Sequence, residues 1–176
     1  MQIRLARPAD AAGLAKVHVD TWRTTYAGLV PADHLANLRY EHSAARWTQI
    51  LTASPQTSYT YLAEREDGQI IGFAAGGPER ENDALYDGEL YGIYILKDWQ
   101  GQGLGRQLTQ TIAQCLLDEG FKGMKVWVLS GNNSRRFYET LGGQELYEKE
   151  IIIGGTSLPE VAYGWPDIRT LLPDQD

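Results

Sequence analysis

A short glycine-rich segment is the first feature of the sequence that could bind a ligand. Residues 100–105 read Gln-Gly-Gln-Gly-Leu-Gly, between an apolar stretch typical of a strand and an amphipathic stretch typical of a helix. Glycines leave backbone amides open to a ligand, and a helix N-terminus attracts anions. The segment therefore predicts a phosphate-binding loop. Neither a dinucleotide-binding loop, which needs glycine at Arg106 or Leu108, nor a Walker loop with Gly-Lys-Ser/Thr fits the sequence.

A second group of candidate residues follows the next predicted strand. Residues 132–139 read Asn-Asn-Ser-Arg-Arg-Phe-Tyr-Glu, and a glycine pair at 142–143 ends the helix predicted there. A tyrosine with a pKa of about 10 stays protonated at neutral pH and can donate a proton, so Tyr138 is a candidate acid. Structural alternatives exist: Tyr138 could be a packed helix tyrosine, and Asn132 could cap the helix.

With the glycine loop, the asparagine, the Phe-Tyr-Glu and the helix-ending glycine in this order, the chain resembles the GNAT superfamily of acetyl-CoA-dependent N-acetyltransferases. The resemblance is sharpest from Glu89 to Gly143 and extends from Ile3 to Trp165. It implies an α/β (α+β) fold with a mixed, mostly antiparallel central sheet of about seven strands flanked by four helices. A single domain is expected over residues 1–172, followed by a loose tail over 173–176.

The chain departs from the family pattern at two places. Asn132 and Tyr138 are one residue closer than in many members, which leaves open whether Asn132 or Asn133 takes the asparagine position. Gly143 stands where an aromatic residue is often found.

The resemblance implies acetyl-CoA as co-substrate and no metal. Its pyrophosphate would rest on the loop amides, its pantetheine arm would pair with the preceding strand, and the Ile95 amide would stabilise the developing oxyanion. Tyr138 would protonate the departing thiolate. The implied cofactor-binding residues are Ile93, Tyr94, Ile95, Gln100, Gly101, Gln102, Gly103, Leu104, Gly105, Arg106 and Asn132.

The acceptor side requires a base, because a primary amine with a pKa of about 10 is mostly charged at pH 7. Glu89 lies eleven residues before Gln100, a spacing that resembles the histone-acetylating branch of the family, and a surface glutamate at a strand start is the alternative. Trp127 stands where other members carry the base on the next strand. Trp22 and Tyr26 match the region that lines the acceptor pocket, and core packing is their alternative.

The elements that would position these residues follow from hydrophobic periodicity. One helix is predicted from Pro8 to about Gly28 and another from Pro31 through Leu51. The Asp67-Gly68 pair predicts a hairpin turn between strands 58–64 and 69–75. Further strands are predicted over residues 3–6, 88–96, 124–129, 145–153 and 158–165, and further helices over 104–116 and 134–141.

Composition narrows the classes of partner. The formal charge is −7 over 176 residues, which argues against a nucleic-acid binder. The charge is polarised. Residues 64–89 carry eight acidic and two basic side chains, whereas residues 97–136 carry six basic and three acidic ones. Solvated faces are the simple interpretation, but an acidic segment beside aromatic residues would also suit a cationic amine.

No apolar run suggests a membrane span or a signal peptide, so a cytoplasmic protein is expected. The three histidines, His18, His34 and His42, lack metal-ligand spacing, and the single Cys115 lies on an apolar helix face.

The leading hypothesis is an N-acetyltransferase in which a small amine, a polyamine or a peptide N-terminus attacks acetyl-CoA directly in a ternary complex. The alternative is a non-catalytic acyl-CoA-binding sensor domain. A homodimer is the expected assembly, since dimers are the commonest oligomers.

Overall fold

The computed structural model describes residues 1–173, so most of the tail expected over residues 173–176 lies outside the described residues. The strands are β1 (Gln2–Leu5), β2 (Tyr59–Glu64), β3 (Ile70–Pro78), β4 (Gly88–Ile95), β5 (Met124–Leu129), β6 (Gln144–Ile153) and β7 (Thr156–Trp165). The helices are α1 (Ala11–Thr25), α2 (Ala32–Ala36), α3 (Tyr40–Thr52), α4 (Leu104–Asp118) and α5 (Arg135–Thr140).

All seven strands form one sheet in the order β1-β2-β3-β4-β5-β7-β6. Every neighbouring pair is antiparallel except β4 and β5, which are parallel. The expected mixed, mostly antiparallel sheet is therefore confirmed. The β2–β3 hairpin turns at Gly68, whose φ of 82° is the conformation that the Asp-Gly signal predicts.

One predicted helix is divided in two. The helix expected from Pro31 through Leu51 stops at Asn37, whose amide bonds to the Asp33 carbonyl, and restarts at Tyr40 after an extended Arg39. The five-residue helix α2 is therefore additional to the four helices expected. Leu38, between the two helices, packs against a small apolar cluster that includes Val30, Leu35 and Leu129.

Helices cover both faces of the sheet. On one face, Leu108, Ile112 and Leu116 of α4 are fully buried against sheet residues that include Leu90 and Val126. On the other, α1 and α3 pack against Leu62 and Phe73. None of the helices in residues 1–173 is both long and apolar enough to cross a membrane.

The sheet opens between its two parallel strands. Strands β4 and β5 pair only over Gly88–Leu90 and Met124–Val126. The register between β3 and β4 shifts so that Tyr91 is an extra residue on β4, and such a bulge bends its strand. Beyond Leu90 the facing edges of β4 and β5 therefore diverge and leave a gap through the sheet.

Candidate active site

The glycine loop presents main-chain amides at the start of α4. Gly101 and Gly103 have φ values of 72° and 83°, and a Cβ atom at either position would meet no atom within 4 Å. The first hydrogen bond of α4 runs from the Gln107 amide to the Gly103 carbonyl. The amides of the three residues between them have no carbonyl partner within the helix, which is the arrangement that binds anions.

Two glutamine side chains hold this loop in shape. The Gln100 Nε2 atom donates to the Ile95 carbonyl at 2.8 Å, and the Gln102 Nε2 atom donates to the Asp98 carbonyl at 2.9 Å. Gln100 therefore fastens the loop to the end of β4.

The edge of β4 that faces the gap carries free donors. The Leu96 amide, just after β4, donates to the carbonyl of Ile71 on β3 at 3.0 Å. Because amides alternate in direction along an antiparallel strand, those of Ile93 and Ile95 point away from β3, into the gap. An extended thioester arm could pair with this edge.

A cavity of about 470 Å³ connects the loop to the gap. Two of the predicted cofactor residues do not line it: Gln102, whose side chain is turned to Asp98, and Leu104, which is buried in the core. The predicted cofactor residues that do line it are Ile93, Tyr94, Ile95, Gln100, Gly101, Gly103, Gly105, Arg106 and Asn132.

Tyr138 is both packed and part of the cavity lining. Its side chain is buried on α5, with ring centroids 5.3 Å from Phe137 and 6.2 Å from Tyr163. Burial raises its pKa, and the nearby Tyr94 raises it further. Its hydroxyl has no hydrogen-bond partner among the described residues, so the phenol is protonated at neutral pH and available to donate.

The two neighbouring asparagines have different surroundings. Asn132 is buried and lines the cavity, whereas Asn133 is exposed and does not. The Asn132 Oδ1 atom also accepts the Ser134 amide at 2.9 Å, so this side chain shapes the turn before α5 as well.

Gly143 lacks a side chain because another residue fills the space. A Cβ atom there would lie 2.8 Å from Cζ2 of Trp165 and 2.9 Å from the Tyr138 carbonyl oxygen. The Trp165 indole, which donates to the Leu141 carbonyl at 2.9 Å, occupies the place an aromatic residue at position 143 would need.

A second cavity of about 450 Å³ continues from the first. The two share Tyr26, Tyr91, Trp127 and Val128 as lining residues, so they meet at the gap between β4 and β5. The second cavity brings together the three residues predicted for the acceptor side. These are Trp22 and Tyr26, whose ring centroids are 4.6 Å apart, and Glu89.

Glu89 is not a surface residue, which contradicts the simpler expectation for it. Only 1% of its side chain is exposed, because it lies on the central strand β4 between Gly77 and Lys125. Its two oxygens accept from Arg80: Oε1 from Nη2 at 2.5 Å and Oε2 from Nε at 3.1 Å. The Arg80 amide also donates to Oε2, at 3.3 Å.

The acidic segment between β3 and β4 is folded onto two lysines. Lys125 is 1% exposed, and its Nζ lies 2.7 Å from Glu79 and 3.3 Å from Glu81. Glu81 also pairs with Lys149. Three of the four acids of this segment, Glu79, Glu81 and Asp83, therefore lie in ion pairs with these lysines, which corrects the interpretation of the segment as a solvated acidic face. The one feature of the sequence that pointed to this ion-pair network was Lys125, a single lysine inside an apolar strand.

Glu160 is a buried acid that the sequence reasoning missed. It is 7% exposed in the middle of β7, between Leu129 on β5 and Lys149 on β6, and it lines the second cavity. The nearest cation is the Lys149 Nζ, at 3.5 Å. Burial raises the pKa of this carboxyl. The sequence does contain a hint of this burial, because Glu160 directly precedes the apolar residues Val-Ala-Tyr of the same strand.

The other titratable candidates do not assemble into a site. Within residues 1–173, no three His, Cys, Asp or Glu side chains are grouped to hold a metal ion. His18 lies between the rings of Trp22 and Tyr94, and burial lowers its pKa to about 4. Burial raises the pKa of the Cys115 thiol, which keeps it protonated.

The sheet with its parted parallel strands, the glycine loop before α4 and the two joined cavities are the features of an acetyltransferase fold. The chain belongs to the GNAT acetyltransferase family, since the sequence model of the "Acetyltransferase (GNAT) family" matches residues 19–142.

Relatives over most of the chain are named as N-acyl transferring proteins. The chain is 41% identical to an N-acetyltransferase from Bacillus subtilis (strain 168), YuaI, described as uncharacterized, over 96% of this chain and 95% of that protein. It is 27% identical to the L-amino acid N-acyltransferase MnaT of Escherichia coli (strain K12), over 81% and 78% of the two chains.

Solved structures share the fold at low identity. An N-acetyltransferase from Staphylococcus aureus Mu50 superposes with a TM-score of 0.73 at 17% identity, over 95% of this chain and 98% of that one. The PaiA N-acetyltransferase of Thermoplasma acidophilum, solved in complex with coenzyme A, superposes with a TM-score of 0.68 at 17% identity, over 92% and 98%.

Proposed function

We propose that the protein transfers an acetyl group from acetyl-CoA to the amine of a small molecule by direct attack in a ternary complex. The observation that carries the proposal is the pair of cavities that meet at the β4–β5 gap. One cavity begins at an anion-binding loop, and the other contains aromatic rings and buried carboxylates. A donor and an acceptor could therefore meet from opposite sides of the sheet.

The residues of the first cavity fit coenzyme A, which would supply the activated acyl group as a thioester. The amides from Gly101 to Arg106 would bind its pyrophosphate, and the β4 edge would hold its extended arm. The Ile95 amide, pointing into the gap, would stabilise negative charge on the carbonyl oxygen. Tyr138 would give its proton to the departing sulfur. The coenzyme A complex of the Thermoplasma structure supports this part of the proposal.

The residues of the second cavity fit an amine. The paired rings of Trp22 and Tyr26 offer a wall suited to a cation, and Glu89 and Glu160 are candidates for its proton. The names of the relatives, which include the L-amino acid N-acyltransferase and a thialysine N-epsilon-acetyltransferase from Bos taurus, favour small acceptors over a peptide N-terminus. The cytoplasmic location and the homodimer stay predictions.

The experiment is a panel of amines assayed for thiol release from acetyl-CoA, with mass spectrometry of the product. The panel contains amino acids, diamines, polyamines and a peptide with a free N-terminus. We expect turnover with one class of small amine, together with a product 42 Da heavier than its acceptor, the mass added by one acetyl group. Tight binding of acetyl-CoA with no turnover on any amine would instead favour the sensor domain.

A further inference from the structure

The two buried carboxylates of the second cavity have very different surroundings. Both oxygens of Glu89 accept hydrogen bonds from Arg80, in a two-point ion pair that is shielded from water on the Glu89 side. Both Glu89 oxygens are therefore already engaged by donors of Arg80. Glu160 has a single, longer contact with a cation among the described residues, from the Lys149 Nζ to its Oε1 at 3.5 Å.

Their positions along the gap differ as well. Glu89 lies directly opposite Lys125, where β4 and β5 are still paired. Glu160 lies directly opposite Leu129, at the far end of β5 where the strands have parted. Since alternate residues of a strand share a face, Glu160 is on the same face as Trp127, which lines both cavities. Glu160 is therefore the acid at the open end, where an amine would enter the gap.

Four titratable groups from different elements lie around Glu160. Lys149 faces it from β6, Glu81 from the segment before β4, Glu89 from β4 and Tyr26 from the end of α1. Burial is the largest influence and raises the pKa of Glu160. Lys149 lowers it, and the two other acids raise it further. The result is a stronger base than an exposed glutamate.

We propose that Glu160 takes the proton of the acceptor ammonium, whereas Glu89 fixes Arg80 at the cavity wall. This inference rests on the acetyl transfer proposed above. The ammonium N–H bond breaks, its proton goes to a Glu160 oxygen, and the freed nitrogen lone pair forms the bond to the thioester carbon as the carbon–sulfur bond breaks. The nitrogen loses two protons in all: the sulfur gains one by way of Tyr138, and the other reaches solvent by way of Glu160.

The test compares Glu160→Gln and Glu89→Gln with Glu150→Gln, an exposed glutamate on the neighbouring strand that lines neither cavity. Initial rates are measured from pH 6 to 9.5 with the best amine of the panel. In Glu160→Gln we expect kcat to fall about 100-fold at pH 7, with the KM for acetyl-CoA unchanged. The loss should shrink as the pH approaches the amine pKa of about 10, since free amine then replaces the base.

The expected result for Glu89→Gln is a loss by a similar factor at every pH, as befits a positioning residue, and Glu150→Gln should match wild type. A Glu160→Gln enzyme within threefold of wild type at pH 7, or one whose loss does not change with pH, would overturn the inference. A pH-dependent loss in Glu89→Gln alone would assign the base to Glu89. If the wild type turned over none of the amines, the proposed acetyl transfer itself would be refuted. Failure of the Glu160 assignment and failure of the proposed function are therefore distinguishable.

Discussion

Tyr138 combines a packing role with the properties that the proposed proton donor needs. Its ring is enclosed by Phe137, Tyr163 and Trp165, which fixes its direction without a hydrogen bond to its hydroxyl. The enclosure also raises its pKa. A phenol that is rigid and fully protonated suits a proton donor better than a mobile one, since its donating atom is already in place.

Replacing Tyr138 with Phe should therefore remove the donor and keep the packing. We expect kcat to fall about 100-fold, a typical contribution of a general acid, with little change in thermal stability or in acetyl-CoA binding. Thiol release at saturating acetyl-CoA measures this effect. Tyr40→Phe, which removes a hydroxyl from an exposed residue of α3 that lines neither cavity, is the matched control. Wild-type rates in Tyr138→Phe would refute its role as the acid.

Individual buried charges were the least predictable residues. The sequence placed Glu89 on the correct strand, but its pairing with Arg80 depends on how the segment after β3 folds back. Lys125 and Glu160 gave only weak signals, because a single charge in an apolar strand is as compatible with an edge as with a buried network. Their roles are set by partners far away in the chain, which periodicity does not specify.

At the scale of elements, the glycine loop and α4 act as one unit. The loop can turn sharply into the helix only because Gly101 and Gly103 adopt positive φ, and its amides then point outward together. A side chain at Gly103 would have room but would disfavour this backbone conformation by about 1 kcal/mol.

Gly103→Ala should therefore weaken acetyl-CoA binding about tenfold, because relief of the strain would redirect the amides. Titration calorimetry with acetyl-CoA measures the change. Gly68→Ala is the control, since Gly68 has a similar φ of 82° and similar free space but lies in the β2–β3 turn. Both variants should lose comparable stability, and equal binding losses in both would contradict a specific role for the loop.

Regular elements were predictable where hydrophobic period and turn residues agreed. The strand over Met124–Leu129 and the start of α4 at Leu104 were predicted correctly, because glycines flank each of these apolar segments on both sides. The break between α2 and α3 was missed, since Leu38 continues an apolar pattern. The opening between β4 and β5 could not be predicted from the sequence either, because it depends on how three strands pair.

At the scale of the whole molecule, the net charge is −7, but many of the acidic side chains lie in ion pairs rather than forming one acidic surface. Arg4 joins Asp10 to Glu64, and Lys125 joins Glu79 to Glu81, so acids from distant segments are tied together. Glu160, in the middle of β7, is an acid whose burial is only partly offset by a neighbouring cation. Such a group costs stability at neutral pH, in keeping with a functional rather than a structural role.

Because burial raises the pKa of Glu160 in the folded protein, its contribution to stability is largest below the unfolded pKa of about 4.3 and is lost as the pH rises through the folded value. Glu160→Gln removes the cost of a buried charge. We therefore expect this variant to melt at a higher temperature than wild type at pH 8, with the difference closing as the pH falls toward 4. Thermal unfolding across that range, with the exposed Glu150→Gln as control, provides the measurement. A lower melting temperature at pH 8 would mean that the contact with Lys149 stabilises the fold and that Glu160 is an ordinary ion-pair partner.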